Sequence, residues 1–322
     1  MNERPQFFKA FAEIDARPDF DPACGITPET VVALIGEYHC ENDEERPCQR
    51  LKSDGTLCGE DHKNGWLGKH GNGKEALIGS NCGKDHFHAS AVFSRERNRI
   101  HTELKLDGLV DRLTRTAGSE EYKRDARATL ERARALLAAT KEVKARFPKA
   151  LGARLEDMEK RGDPGVYVQY RYEKLDEDDE LVADWTRTRV ATVAGLKTWN
   201  PLPLQAAFTS LHAIRDAIAE VVIHRELGDR KLKAWADTLD ELPRCVEVLA
   251  DLEAALAAFQ TPDNVRWLPF VVRSHIEGLQ AARVALEFAG DPNAAQNSLR
   301  LFNELSDQLR RGADGRDFRV TD

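Results

Sequence analysis

Four cysteines, Cys40, Cys48, Cys58 and Cys82, fall in one short stretch, and six of the chain's nine histidines lie between His39 and His101. Thiolate sulfur and imidazole nitrogen are the ligands zinc takes in closed tetrahedral sites. The N-terminus lacks the apolar core of a secretion signal, so these thiols read as metal ligands in a reducing cytoplasm rather than as disulfide partners. The spacing Cys40-x7-Cys48-x9-Cys58-x23-Cys82 predicts one Zn2+ held by four thiolates. His86, one helical turn beyond Cys82, and His39, beside Cys40, are the alternative ligands. A site closed by four ligands is structural, so no catalytic residue is assigned. Cys24 and Cys245 are remote from the group and read as small buried hydrophobes.

The elements that must position these thiols follow from local signals. Asp54-Gly55, between Cys48 and Cys58, predicts a hairpin turn that brings two thiols to one end of a two-stranded ribbon. Asn81-Cys82 marks a helix start, where free N–H groups favour a thiolate. Around them, residues 38–92 are rich in Gly, Asn, Asp and His, and metal binding is expected to supply stability that apolar burial does not. A hairpin followed by a ligand in the first turn of a helix is the outline of a treble-clef finger. Ile78-Gly79-Ser80-Asn81-Cys82 resembles the second half-site of small bacterial zinc domains with a V/I-G-x-x-C step, although the C-x2-C knuckle that usually comes first is missing. The resemblance covers about fifty residues and no whole-chain family.

Two other chemistries fit parts of the same segment. Asp61-His62, Asn72 and His86 loosely resemble the His-Asn-His nuclease finger, which implies His62 as general base and His86 as a ligand of the catalytic ion. Lys63, Lys69, Lys74 and Lys84 surround Trp66 in the glycine-rich run Asn64-Gly65-Trp66-Leu67-Gly68. Cations around an exposed aromatic grip phosphates and stack a base, whereas the competing reading packs Trp66 as a small core over the metal. No P-loop, nucleotide-binding glycine fingerprint, nucleophile elbow or HExxH occurs.

The bulk composition sets the frame. With 322 residues, 41% hydrophobic and 32% charged, the chain can form two or three compact units. Its formal charge of −8 argues against coating nucleic acid along its length. Residues 94–161 nevertheless carry 18 basic and 12 acidic side chains. That stretch is read as a solvated helix face or, in the nucleic-acid alternative, as a source of phosphate contacts. No run is apolar enough to span a membrane.

The expected architecture is mainly α (α+β). An N-terminal helical segment covers 1–37, with a helix opening at Thr27-Pro28-Glu29, and a zinc-binding module covers 38–92. A basic helical segment, 93–162, is divided at Gly118 and Pro148. A β-hairpin covers 163–198, turning at the acidic run 176–180. An antiparallel helical bundle covers 199–311, where Leu232, Trp235, Leu239, Leu242, Val246 and Leu249 keep coiled-coil-like spacing with a restart at Pro243. A disordered tail covers 312–322. The functional expectation is a non-catalytic, structural-zinc interaction or scaffold protein with a protein partner, of bacterial or phage and mobile-element type. Nucleic-acid binding and a metal-dependent nuclease are the alternatives.

Overall fold

The computed structural model describes residues 4–41, 44–175, 180–220 and 229–320. The chain divides into two compact units, the first comprising the described residues of Met1–Arg115 and Val222–Ala236, the second those of Thr116–Val221 and Asp237–Asp322.

The first unit is built on a mixed sheet. Its elements are β1 (Gln6–Phe8), α1 (Phe11–Asp15), β2 (Val31–His39), β3 (Arg46–Pro47), β4 (Asp61–His62), β5 (Asn64–His70), β6 (Glu75–Gly79), α2 (Ser80–Asp85) and α3 (Ala91–Gly118). The sheet order is β1-β2-β5-β6, with β1 parallel and the other neighbours antiparallel. Two apolar clusters occupy this region. One joins Val31, Leu34, Trp66 and Ile78 to Phe87, Phe93 and Ile100 after the sheet. The other joins Ile35, Tyr38, Leu67 and Leu77 to Phe8, Phe11 and Ile14. A strand buried on both faces reads as a continuous apolar run rather than an alternating one.

That is why the expected helix from Thr27 is instead strand β2. Thr27 and Thr30 close a turn by exchanging bonds between hydroxyls and backbone N–H groups. The helix-like spacing of Val31, Leu34, Ile35 and Tyr38 arises because register shifts at Val31/Ala33 and Leu34/Gly36 reset the strand's alternation. The glycine-rich run at 64–68 is likewise no loop but most of β5. A Cβ on Gly65 would lie 2.0 Å from the Ile78 carbonyl oxygen, so glycine there permits a close backbone approach. Glu75 is fully buried and held by Arg17 through bonds of 2.6 and 2.8 Å.

The second unit is mostly helical: α4 (Glu120–Arg146), α5 (Lys149–Arg161), β7 (Gly165–Leu175), β8 (Leu181–Thr192), α6 (Leu202–Glu220), α7 (Asp229–Asp240), α8 (Leu242–Phe259), α9 (Pro262–Val265), α10 (His275–Phe288), α11 (Ala294–Gly312) and β9 (Phe318–Val320); the start of α7 belongs to the first unit. The breaks at Gly118 and Pro148 fall where the sequence puts them, with the Ser119 hydroxyl accepting the Tyr122 N–H at the start of α4. Pro243 sits in the first turn of α8, where its missing N–H costs nothing. Helices α4, α6 and α8 pack together, as do α10 and α11.

The hairpin β7–β8 pairs from Gly165↔Thr192 to Leu175↔Leu181; four residues of its acidic turn, 176–179, lie outside the described residues. The expected disordered tail is corrected in part. Residues Phe318–Val320 form β9, antiparallel to β7, and Phe318 meets Tyr170 and Phe270. Three residues suffice because β7 already offers a preformed edge and Phe318 supplies the apolar anchor.

Candidate metal centre

The site grows out of a long hairpin that β3 and β4 begin. Arg46 pairs with His62 and Pro47 with Asp61. The Cys58 N–H bonds to the Arg50 carbonyl at 2.7 Å, and Leu51 bridges Leu57. Asp54-Gly55 turns the chain as expected, with Gly55 at φ 81° and the Asp54 carboxylate accepting the Thr56 N–H at 2.9 Å. The hairpin is fixed to the sheet mainly through Gln49. Its N–H reaches the Leu77 carbonyl, its side-chain oxygen accepts the Leu77 N–H at 2.8 Å, and its amide donates to the Asp21 and Cys24 carbonyls. Cys48, the preceding residue, is thereby held beside the end of β6.

Helix α2 brings the third sulfur. It starts directly after β6, and Cys82 lies buried in its first turn. Trp66 lies beneath it: a Cβ on Gly83 would be 2.3 Å from the indole, and the ring packs edge-on against Phe93. Trp66 is only 8% exposed. The reading of Trp66 as core is therefore the correct one, and its stacking face is unavailable to a base.

Cys48, Cys58 and Cys82 are brought within 4.8 Å of one another, with Cys58 and Cys82 3.6 Å apart. Backbone N–H groups point at two of the sulfurs: Gly79 donates to Cys48 at 3.5 Å, and Glu60 donates to Cys58. The Arg50 guanidinium lies beside Cys58 and Cys82 as their nearby positive charge, with its Nε buried and without a hydrogen-bond partner among the described residues. Burial raises the thiol pKa of Cys58, but the Glu60 N–H, Cys82 and Arg50 outweigh it and bring the net value below the ordinary one. Burial and the neighbouring Cys48 push Cys82 up to about 12.

Cys40, expected as a ligand, is not in the group. It is buried in the apolar cluster with Phe11, Ile14 and Tyr38, and burial raises its thiol pKa. As β2 runs on into Cys40, its side chain belongs to that core. The alternative ligands His39 and His86 are both exposed. His86 follows the short α2, whose end leaves it on the outside.

Nor does the His62, Asn72 and His86 set assemble. His62 precedes β5, whereas Asn72 lies in the turn after it, bonding to Lys74 and His70. The seven residues of β5 put about 20 Å between those ends. Of the expected phosphate-binding lysines, Lys69 lies 3.7 Å from Asp19, and Lys74 and Lys84 are exposed on separate elements. Lys63 is half-buried. The basic stretch is laced with its own acids: Arg99 with Glu96 and Glu103, Lys123 with Glu120, Arg134 with Glu131, Arg146 with Glu142. Such spacing is that of a solvated helix face.

Residues missed by sequence reasoning are Arg50, Gln49 and Tyr38; the sequence singles out His62 only as a candidate base, not for its contact with Tyr38. Tyr38 is buried, and its hydroxyl meets the Ile78 carbonyl at 3.3 Å and His62 Nδ1 at 3.1 Å. Burial holds the His62 imidazolium below its usual pKa, favouring the neutral ring. Cys24 and Cys245 are buried free thiols, as expected. No helix among the described residues is long and apolar enough to cross a membrane. No protein-family model matches the chain, and neither a curated protein nor a solved structure shows significant similarity to it.

Proposed function

We propose that the chain is a cytoplasmic interaction or scaffold protein without catalytic activity, its first unit locked by one Zn2+ on Cys48, Cys58 and Cys82. The observation that carries this reading is the convergence of three sulfurs from two separate elements. The 3.6 Å between Cys58 and Cys82 is close to the ~3.8 Å edge of a tetrahedron with Zn–S bonds near 2.3 Å. Thiolate donors favour zinc over calcium or magnesium. Three thiolates around a divalent ion leave one negative charge, and the adjacent Arg50 offsets it, as a buried ion requires. The sulfurs are mostly buried, which supports a structural rather than a catalytic metal.

The order of elements supports the treble-clef-like resemblance: a thiol-bearing hairpin, then β5–β6, then a helix opening on Cys82. Only one ligand comes from that helix. For a protein partner, strand β1 lies at one edge of the first sheet with Phe7 45% exposed, the geometry by which an extended segment adds to a sheet.

A strong chelator tests the proposal. Metal removal should expose the amides of residues 46–62 to hydrogen exchange while those of α4, α6 and α8 keep their protection. Unchanged protection of 46–62 after exhaustive chelation would reject it.

A further inference from the structure

We infer that His62 is the fourth ligand of this centre, binding the ion through Nε2, with Tyr38 as the group that orients it. The inference rests on the metal reading above and adds a residue to it. Three observations converge on Nε2. First, that nitrogen is buried and has no hydrogen-bond partner. Buried polar atoms are ordinarily paired because leaving one alone is costly, so an unpaired ring nitrogen ordinarily has a use.

Second, its position is tied to the sulfurs through Gly79. The Gly79 N–H donates to Cys48 Sγ at 3.5 Å, and a Cβ on the same glycine would lie 3.2 Å from His62 Nε2 and 2.5 Å from Cδ2. The ring therefore lies against the backbone that also donates to Cys48, and any side chain at 79 would push it away. Glycine at this position leaves room for the imidazole.

Third, the other ring nitrogen fixes the tautomer. The Ile78 carbonyl can only accept, so the single Tyr38 hydroxyl proton goes to it, at 3.3 Å. The 3.1 Å contact with His62 is then Nδ1–H donating to the phenol oxygen. With the proton on Nδ1, Nε2 carries a free lone pair. Metal-bound histidines commonly use their second nitrogen this way, as a donor to a fixed acceptor. Three thiolates and one neutral imidazole give a Cys3His set, one of the ordinary structural zinc sites. Nε2 does not lie within 4.8 Å of all three sulfurs, so the inference requires the ring to move toward them when the ion binds. Arg50 remains outside the ligand set as the countercharge to the three thiolates.

The test is 113Cd NMR on the full chain with 15N-labelled histidine, Cd2+ standing in for zinc. The inference predicts one bound 113Cd with scalar coupling to a single histidine nitrogen, lost in His62→Ala together with clearly more than about a hundredfold of affinity. That exceeds the ~10–100-fold typical of losing an outer-sphere partner. Tyr38→Phe should keep the coupling and weaken binding about tenfold. Cadmium bound with no nitrogen coupling, or coupled to a nitrogen that survives His62→Ala, would overturn the assignment while leaving the three-thiolate site standing. Failure of the unmodified chain to bind cadmium at all would overturn both.

Discussion

Replacing Gln49 by leucine tests how the hairpin is attached. The side chain is 3% exposed and bonds three backbone groups: the Leu77 N–H and the Asp21 and Cys24 carbonyls. The Asp21 carbonyl keeps a second bond, from the Cys24 N–H at 3.0 Å. The other two lose this partner in a buried setting, at roughly 1–3 kcal/mol each. Leucine is of similar size, so little cavity cost is added, and the expected loss is about 2–6 kcal/mol. Gln49→Glu retains an acceptor for Leu77 but offers the carbonyls no proton, and it should be no better tolerated. Native-state hydrogen exchange of the β5 and β6 amides reads the effect: at least about thirtyfold faster opening in Gln49→Leu, since each 1.4 kcal/mol is tenfold. Acceleration below about fivefold would mean that Gln49 does not anchor the hairpin.

Other perturbations separate packing from charge. Arg17→Met strands the fully buried Glu75 carboxylate and should cost about 3–5 kcal/mol; an unshifted urea midpoint for the first unit would contradict the pairing. Asp163 bonds the Gly165 N–H and the Tyr167 hydroxyl, both of which, with Arg187, hold its carboxyl below the usual range. Its folded pKa is depressed, so its contribution is complete above the unfolded value near pH 4 and is lost as pH falls through the folded one. Asp163→Asn should flatten the acid limb of the second unit's stability below about pH 5, and an unchanged limb would refute that. Phe318→Ala, which removes the ring contacts with Tyr170 and Phe270, should loosen β9 and cost about 1–3 kcal/mol, seen as faster exchange of the Arg171 amide, which donates to the Asp317 carbonyl; equal rates would show the tail to be inert.

Signals contained within a few residues were legible before the fold was known. Asp54-Gly55 specifies its turn, Cys82 its helix start, and Gly118, Pro148 and Pro243 their breaks, because each acts through its own backbone dihedrals or missing N–H. What was not legible depended on partners far along the chain. The spacing of Val31, Leu34 and Ile35 mimics a helix because two irregularities in β2's pairing with β5 reset its alternation. Gly65 and Gly68 look like loop residues until β6 and the Ile26 and Ile78 side chains press on them. Cys40 carries the same chemistry as the other thiols but sits where β2 turns it into an apolar cluster. His62 drew notice as a candidate base; only the folded arrangement of Tyr38, Ile78 and Gly79 gives its ring another role.

Metal content of the purified full chain, measured by mass spectrometry under non-denaturing conditions, tests the central claim most directly. One zinc per chain should be present, retained in Cys40→Ala and absent from Cys48→Ser and Cys58→Ser. A folded chain that carries no zinc when supplied with it, or one whose zinc survives loss of Cys48 and departs with Cys40, would contradict the three-thiolate centre.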